Sequence, residues 1–389
     1  MAGNGGYRAN WISQPGFFCQ NNRHPETSGR RVDLAAFLEH AKLAGFTPTW
    51  QEAQEFLSTW GRGGPILVPP FVTRFLSLYF AKKGAQNILD PWAGIGSLLT
   101  PIVKEAGIPA GVGTVHSKAD MEIAQVLGED TPIVWRLAES GKDASQVGEF
   151  DVVVCAPPLG LRPVSEEIRS GSKTAQVRGS ETNVIVLRGS SQLSSDGEAA
   201  FLLPNNFFFS QQAGGVREAM PAMGLHIGAI IALPAGAFAP LTAMELSLVF
   251  LSRSAADTVF VGQLSPDRDP APLLKNLAKR QEGAAPELGR LVQFGDYRGW
   301  NSLVAAEEQQ RLAERSGLVA TPIADLVTAV NLGHQTEDGG FENLPNCVYL
   351  PLIGSSSAVT SLSALRIKPQ NYAQLVIRGE STSADFLAG

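Results

Sequence analysis

From residue 64 onward the chain alternates short apolar runs with segments whose apolar positions recur every three or four residues. These are the two periods of strand and helix. Pro69-Pro70 opens a predicted helix over residues 71–80, and Asn87-Ile88-Leu89-Asp90 is a short strand ending in an acid. Helices are predicted over 97–104 and 119–127, and strands over 111–115, 132–135 and 151–155. The Gly-, Ser- and Arg-rich stretch after residue 160 reads as a loop leading to a helix. Next come a strand over 198–203, a helix over 213–223, and strands over 227–233 and 245–251 around a turn at 234–240. Alternating strands and helices imply an α/β fold with a doubly wound, mostly parallel sheet. The last two strands would form a hairpin that adds an antiparallel edge strand.

Outside that block the pattern weakens. Residues 1–30 read as a loose lead-in, and 32–60 as two short helices meeting near 45–48. Beyond 254, helices are predicted over 271–281 and 302–315, and strands over 347–352 and 374–377. Three parts follow: an N-terminal lead-in with short helices (1–63), a central core (64–253) and an α+β C-terminal extension (254–389). The apolar stop Phe386-Leu387-Ala388-Gly389 looks like a cut within an element, as in a fragment.

Composition changes this picture little. The 389 residues are 44% hydrophobic and 17% charged, as expected of a globular chain with a substantial core. The longest apolar stretches, 201–204 and 227–234, are far too short to span a bilayer, and the first ten residues carry no secretory signal. A cytoplasmic protein with no membrane partner is expected. Cys19, Cys155 and Cys347 are scattered without CxxC spacing, and the five histidines form no cluster, so no metal site is expected. A net charge of −6 argues against autonomous tight DNA binding, although Arg162, Arg169, Lys173, Arg178 and Arg188 gather in one stretch. That stretch reads equally well as a solvated loop.

The candidate chemistry centres on Asp90-Pro91-Trp92-Ala93-Gly94-Ile95-Gly96, a glycine-rich turn between a strand and a helix. Such a turn presents backbone N–H groups and a positive helix end to a ligand. This DPxxGxG block resembles the cofactor motif of the N6-adenine DNA methyltransferases, above all the modification subunits of type I restriction systems. Four other blocks follow the family's order: the segment 65–71 with Pro69 and Pro70, Ala156-Pro157-Pro158-Leu159 after a strand, the strand segment 197–204, and 233–238 ending in Phe238. Together they cover about residues 60–253. The resemblance implies a class I S-adenosylmethionine-dependent methyltransferase fold. It also implies S-adenosyl-L-methionine as cofactor, bound by Pro69, Pro70, Asp90, Ala93, Gly94 and Gly96. It places the catalytic tetrapeptide at Ala156, Pro157, Pro158 and Leu159, and a base contact at Phe238. Double-stranded DNA and the specificity or other subunits of a restriction-modification or phage-defence assembly are the implied partners. The segments 349–354 and 368–374 are similar to the start of a DNA target-recognition region.

Departures from the family pattern shape the expected function. The family's asparagine, which accepts from the adenine amino group, is replaced by Ala156, whose side chain has no acceptor. Its aromatic is replaced by Leu159, which offers no π face. Losing one positioned polar partner costs roughly 10²–10³ in rate. Val115 or His116 stands where the family has an acid for the ribose, and Arg136-Leu137 where it has Gly-Asp. The expectation is a methyltransferase-like protein with impaired catalysis. Two alternatives stay open: an active adenine-N6 methyltransferase with a variant motif, helped by Asn205 or Asn206, and a scaffold that binds neither ligand.

Overall fold

The computed structural model describes residues 66–138, 149–239, 242, 244–317, 321–333, 340–352, 357–379 and 382–388. The helices expected over 32–60 lie outside them. The chain divides into two compact units, Met1–Val304 and Ala305–Gly389.

The first unit is built on a nine-stranded sheet. Its strands are β1 (Asn87–Asp90), β2 (Ala110–Val115), β3 (Ile133–Leu137), β4 (Phe150–Cys155), β7 (Leu193–Pro204), β8 (His226–Ala232), β9 (Leu246–Ser252), β10 (Val259–Gln263) and β11 (Arg290–Val292). The spatial order is β11-β10-β8-β9-β7-β4-β1-β2-β3. All neighbours are parallel except β9, antiparallel to both β7 and β8, and β11, antiparallel to β10. This is the doubly wound, mostly parallel sheet that the pattern predicts. The antiparallel strand, however, is not an edge. Residues Leu246–Leu251 of β9 are all buried, so the strand needs cover on both faces and neighbours on both sides. The sheet also continues past residue 253, because β10 and β11 extend it beyond β8.

The central strands β4 and β7 are apolar on both faces, and alternate residues feed two cores. Val153 and Cys155 of β4, with Phe201 and Leu203 of β7, face one cluster. Val152 and Val154, with Ala200 and Leu202, face the other. Helices α4 (Glu181–Ser190) and α5 (Gly214–Ala222) cover the first face. Helices α1 (Pro70–Lys83), α2 (Leu99–Ala106) and α6 (Ala271–Lys279) cover the second. α1 shows how sequence sets such an element. Pro70 occupies its first turn, Val72, Phe75, Leu76, Tyr79 and Phe80 form its buried stripe, and Gly84 at φ +67° ends it. Helix α3 (Lys118–Leu127) follows β2, capped by the Ser117 hydroxyl, which accepts from the Asp120 N–H at 3.1 Å.

The stretch expected as a loop after residue 160 is instead a hairpin, β5 (Pro163–Ser170) paired with β6 (Lys173–Ser180) around Gly171 at φ +58°. Its charges alternate with apolar positions, and Ile168 and Val177 are buried in the core under α4. Polarity alone suggests a loop, whereas the period of two marks a half-buried ribbon.

The second unit carries a three-stranded antiparallel sheet, β12-β14-β13. Its strands are β12 (Val327–Leu332), β13 (Cys347–Pro351) and β14 (Tyr372–Ile377). The latter two were expected from sequence. Small clusters on Tyr349 and Tyr372, and on Val348 and Leu375, fill its faces.

One packing constraint is open to test. A Cβ on Gly113 would lie 2.5 Å from Cζ3 of Trp135, and one on Gly96 would lie 2.7 Å from Cη2 of the same ring. Gly113→Ala is expected to cost about 1–3 kcal/mol through overpacking. Chemical denaturation reads this directly. Adding Trp135→Leu should recover part of the loss, and an unchanged midpoint for Gly113→Ala would contradict the packing.

Candidate functional site

The site forms where β1 and β4 end side by side at the carboxyl edge of the parallel strands, the usual ligand-binding edge of open α/β sheets. β1 closes on Asp90, and the chain then turns through residues 91–96 into α2. The turn is fastened internally. The Ala93 N–H donates to the Thr114 carbonyl of β2 at 2.8 Å, and the Gly96 N–H donates to the Ala93 carbonyl at 2.8 Å. Gly94 and Gly96 have φ of +54° and +84°, where a side chain is strained. The Ser97 hydroxyl donates to the Ile66 carbonyl at 2.8 Å, drawing the segment before α1 onto the rim.

Asp90 is 1% exposed. Its Oδ1 accepts from the Trp92 N–H at 3.0 Å, and the Cys155 thiol also donates to it. Burial pushes the carboxyl up to about 7, against the pull of those two donors, and the same burial with Asp90 alongside pushes the Cys155 thiol up. The Trp92 indole stacks on His116 at 3.5 Å and 14°. The outer edge of His116 is exposed, yet the cover on its face, followed by the Arg188 guanidinium, holds it below the usual histidine range.

A cleft of about 200 Å³ opens over this turn, with Asp90, Trp92, Ala93, Gly94, Asp120, Ala156 and Pro158 in its wall. A second, apolar pocket of about 20 Å³ adjoins the Ala156 side, lined by Pro157, Leu159, Leu202, Phe238, Thr242 and Leu246. Ile66 and Ala156 border both spaces. The structure therefore brings together Asp90, Ala93, Gly94 and the tetrapeptide, and it places Phe238 against Leu159. The Pro158 carbonyl accepts from the Thr182 hydroxyl at 2.6 Å, which fixes the tetrapeptide to α4.

Three expected cofactor residues line neither space. Pro69 and Pro70 are taken up in starting α1, where the Pro69 carbonyl accepts from the Val72 and Thr73 N–H groups. Ile66 of the same block reaches the site instead. Gly96 shapes the turn beneath Trp135. Val115 is fully buried in the core and Leu137 is 38% exposed, and neither lines the cleft. Asn205 is occupied elsewhere. Its Oδ1 accepts from the Ser247 hydroxyl at 2.9 Å and its Nδ2 donates to Glu245 at 3.1 Å, and it lines neither space.

The sequence reading missed Ile66, Trp92 and Asp120. A signal existed for Asp120, because Ser117 three residues earlier is an N-cap that sets Asp120 on the first turn of the helix after β2. In the basic stretch, Arg188 makes a two-pronged pair with Glu166, and Arg169 pairs with Glu167. Two of the five basic side chains of that stretch are therefore compensated. Among the described residues, no group of three or more His, Cys, Asp or Glu could hold a metal ion, and no helix is long and apolar enough to cross a membrane.

The residues present suit an adenosyl sulfonium. Glycines let the backbone approach a ligand, Asp120 is a carboxylate able to accept from vicinal hydroxyls, and Trp92 offers an aromatic wall. The cleft is smaller than typical small-molecule sites of about 300 Å³ and upward, so part of such a ligand lies in its open mouth.

The buried Asp90 makes stability depend on pH with a defined sign. Its carboxyl titrates near 7 when folded and at 3.8 ordinarily, so the folded state holds the extra proton between those values. Its contribution is complete below pH 3.8 and is lost as pH rises through 7. Asp90→Asn keeps an acceptor for the Trp92 N–H and removes the titration. The stability of the variant relative to the parent is expected to rise by up to about 4 kcal/mol from pH 4 to 8. Taking this difference by denaturant titration cancels the opposite slope of His116. A difference that stays flat with pH would contradict the burial of the carboxyl.

Residues 116–280 match the family model described as N-6 DNA Methylase. No curated protein matches the chain. Among solved structures, the methyltransferase subunit of a type I restriction-modification system from Streptococcus thermophilus is 16% identical with a TM-score of 0.51, over 63% of this chain and 60% of that one. A protein from Listeria monocytogenes assigned to the class I S-adenosylmethionine-dependent methyltransferases is 19% identical with a TM-score of 0.47, over 63% and 83%. The modification subunit of a type I restriction enzyme from Vibrio vulnificus is 16% identical with a TM-score of 0.44, over 69% and 61%. The chain thus spans about 60% of the length of the Streptococcus subunit, and that likeness speaks to the fold. The family match thus covers residues 116–280, less than half of the chain, and the likeness to the Streptococcus subunit shows the methyltransferase fold.

Proposed function

We propose that the chain is a catalytically impaired N6-adenine DNA methyltransferase relative that binds S-adenosyl-L-methionine and works in the cytoplasm, with DNA and partner subunits, in a restriction-modification or phage-defence assembly. The observation that carries this reading is the contrast between the two spaces meeting at Ala156. The cleft on the glycine-turn side keeps a carboxylate, an aromatic wall and an open backbone. The pocket on the other side is small, about 20 Å³, and is lined almost wholly by apolar side chains.

S-adenosylmethionine, when bound, supplies an electrophilic methyl group. The residues of this chain then divide the remaining work. Gly94 and its neighbours approach the ligand with backbone, and the buried Asp90 holds the shape of that turn through the Trp92 N–H. Asp120 accepts from the ribose hydroxyls, taking the place of an acid at the end of β2, where Val115 is buried instead. On the target side, Ala156 leaves an amino group without its side-chain acceptor, and Leu159 and Phe238 close the pocket around each other. Binding is retained while the lone pair of a target nitrogen goes unoriented, a loss worth roughly 10²–10³ in rate from the missing acceptor alone.

Calorimetric titration with S-adenosylmethionine, run beside tritiated methyl transfer to DNA of mixed sequence, tests both halves. Binding is expected with transfer at background. Asp120→Ala should weaken binding about tenfold or more, as loss of a hydrogen bond to a charged group does. Robust labelling of adenine N6 by the unmodified chain would contradict impairment, and flat titrations would favour the scaffold reading.

A further inference from the structure

Resting on the cofactor reading just given, we infer that the cleft accepts S-adenosyl sulfonium ligands whose S-substituent is larger than methyl and apolar, with Ala156 as the residue that sets this tolerance. A ligand in the glycine-turn cleft that points a group toward the target side must pass between Ile66 and Ala156, which border both spaces. The family's asparagine would extend three heavy atoms beyond Cβ at this position. Alanine ends there, so the partition is thin where a methyl donor directs its reactive group.

The space behind the partition decides what chemistry gains. It measures about 20 Å³, and Leu159, Leu202, Phe238 and Leu246 supply most of its wall. A volume of that order takes one added methyl or methylene group, not a ring. An S-ethyl group places its terminal carbon among these side chains and leaves water. One buried methylene contributes about 0.8 kcal/mol, or roughly a fourfold gain in affinity. An S-benzyl group exceeds the space unless Phe238 moves. A polar substituent gains nothing from the apolar wall and is disfavoured there. The selectivity is therefore by size and polarity together, and it belongs to a site whose catalytic side chain has been cut back.

Isothermal titration reads this without any methyl transfer. The probes are S-adenosyl-L-methionine, its S-ethyl analogue S-adenosyl-L-ethionine, and S-adenosylhomocysteine, which lacks the substituent. In the parent chain the S-ethyl compound is expected to bind at least as tightly as the S-methyl compound, and up to about fourfold tighter. Ala156→Asn should raise the ratio of the S-ethyl to the S-methyl dissociation constant at least fivefold. Adenosylhomocysteine should bind both proteins within twofold. Ala156→Val fills the same space without a polar group and should act alike, which covers a failure of the asparagine variant to fold. Phe238→Ala should move the preference the other way, toward larger substituents. If the S-ethyl compound binds the parent more than fivefold more weakly than the S-methyl compound, or the ratio ignores both Ala156 variants, the inference is overturned while the cofactor reading stands. Flat titrations for all three compounds would overturn both.

Discussion

The site depends on one buried carboxyl group. Asp90 ends a strand with its side chain almost completely removed from water, and it is kept there by the Trp92 N–H and the Cys155 thiol. Each contact has a structural consequence. The first curls the chain back after β1 and commits it to the turn that carries Gly94 and Gly96. The second joins the end of β1 to the end of β4, so that the glycine turn and the Ala156 tetrapeptide emerge side by side. Desolvation makes the charged form of Asp90 costly, which is why the group titrates near neutrality. A carboxyl in this state is suited to holding backbone shape.

From that junction the site grows in two directions of unlike character. Toward β2 and α3 it stays polar, with Asp120 on the first turn of the helix and the Trp92–His116 stack beside it. Toward β7 and β9 it is hydrocarbon, because Leu202 and Leu246 come from strands that are apolar on both faces, and Phe238 packs down on them. Ala156 lies on the boundary.

Much of the core architecture was legible in the sequence because buried parallel strands are nearly continuous apolar runs and the glycine turn is a specific local pattern. Helix α1 with its flanking prolines and C-terminal glycine, and strands β1, β2, β4 and β8, were readable in this way. The hairpin β5–β6 was not, since its polar composition concealed a period of two that buries Ile168 and Ser170 on one strand and Val177 and Gly179 on the other. The central position of β9 was missed for a different reason. Sequence shows that a strand is buried but not which strands flank it. Of the residues singled out by their motifs, Asp90, Ala93, Gly94, Ala156, Leu159 and Phe238 line the two spaces. Pro69, Pro70 and Gly96 line neither, and shaping a helix start and a turn is a sufficient reason for those residue types. Asp120 and Ile66 escaped notice because their role comes from tertiary placement: one through a helix cap, the other through a carbonyl held by Ser97.

The central claim is that cofactor capture persists where methyl transfer has been lost. A single-turnover chase tests it most directly. The chain is loaded with methyl-tritiated S-adenosylmethionine, freed of excess label by rapid desalting, and mixed with double-stranded DNA of random sequence. The account predicts label retained on the protein after desalting and recovered as intact S-adenosylmethionine after the chase, with none in DNA above background. Label appearing in N6-methyladenine at a rate comparable to that of an asparagine-bearing variant would contradict it.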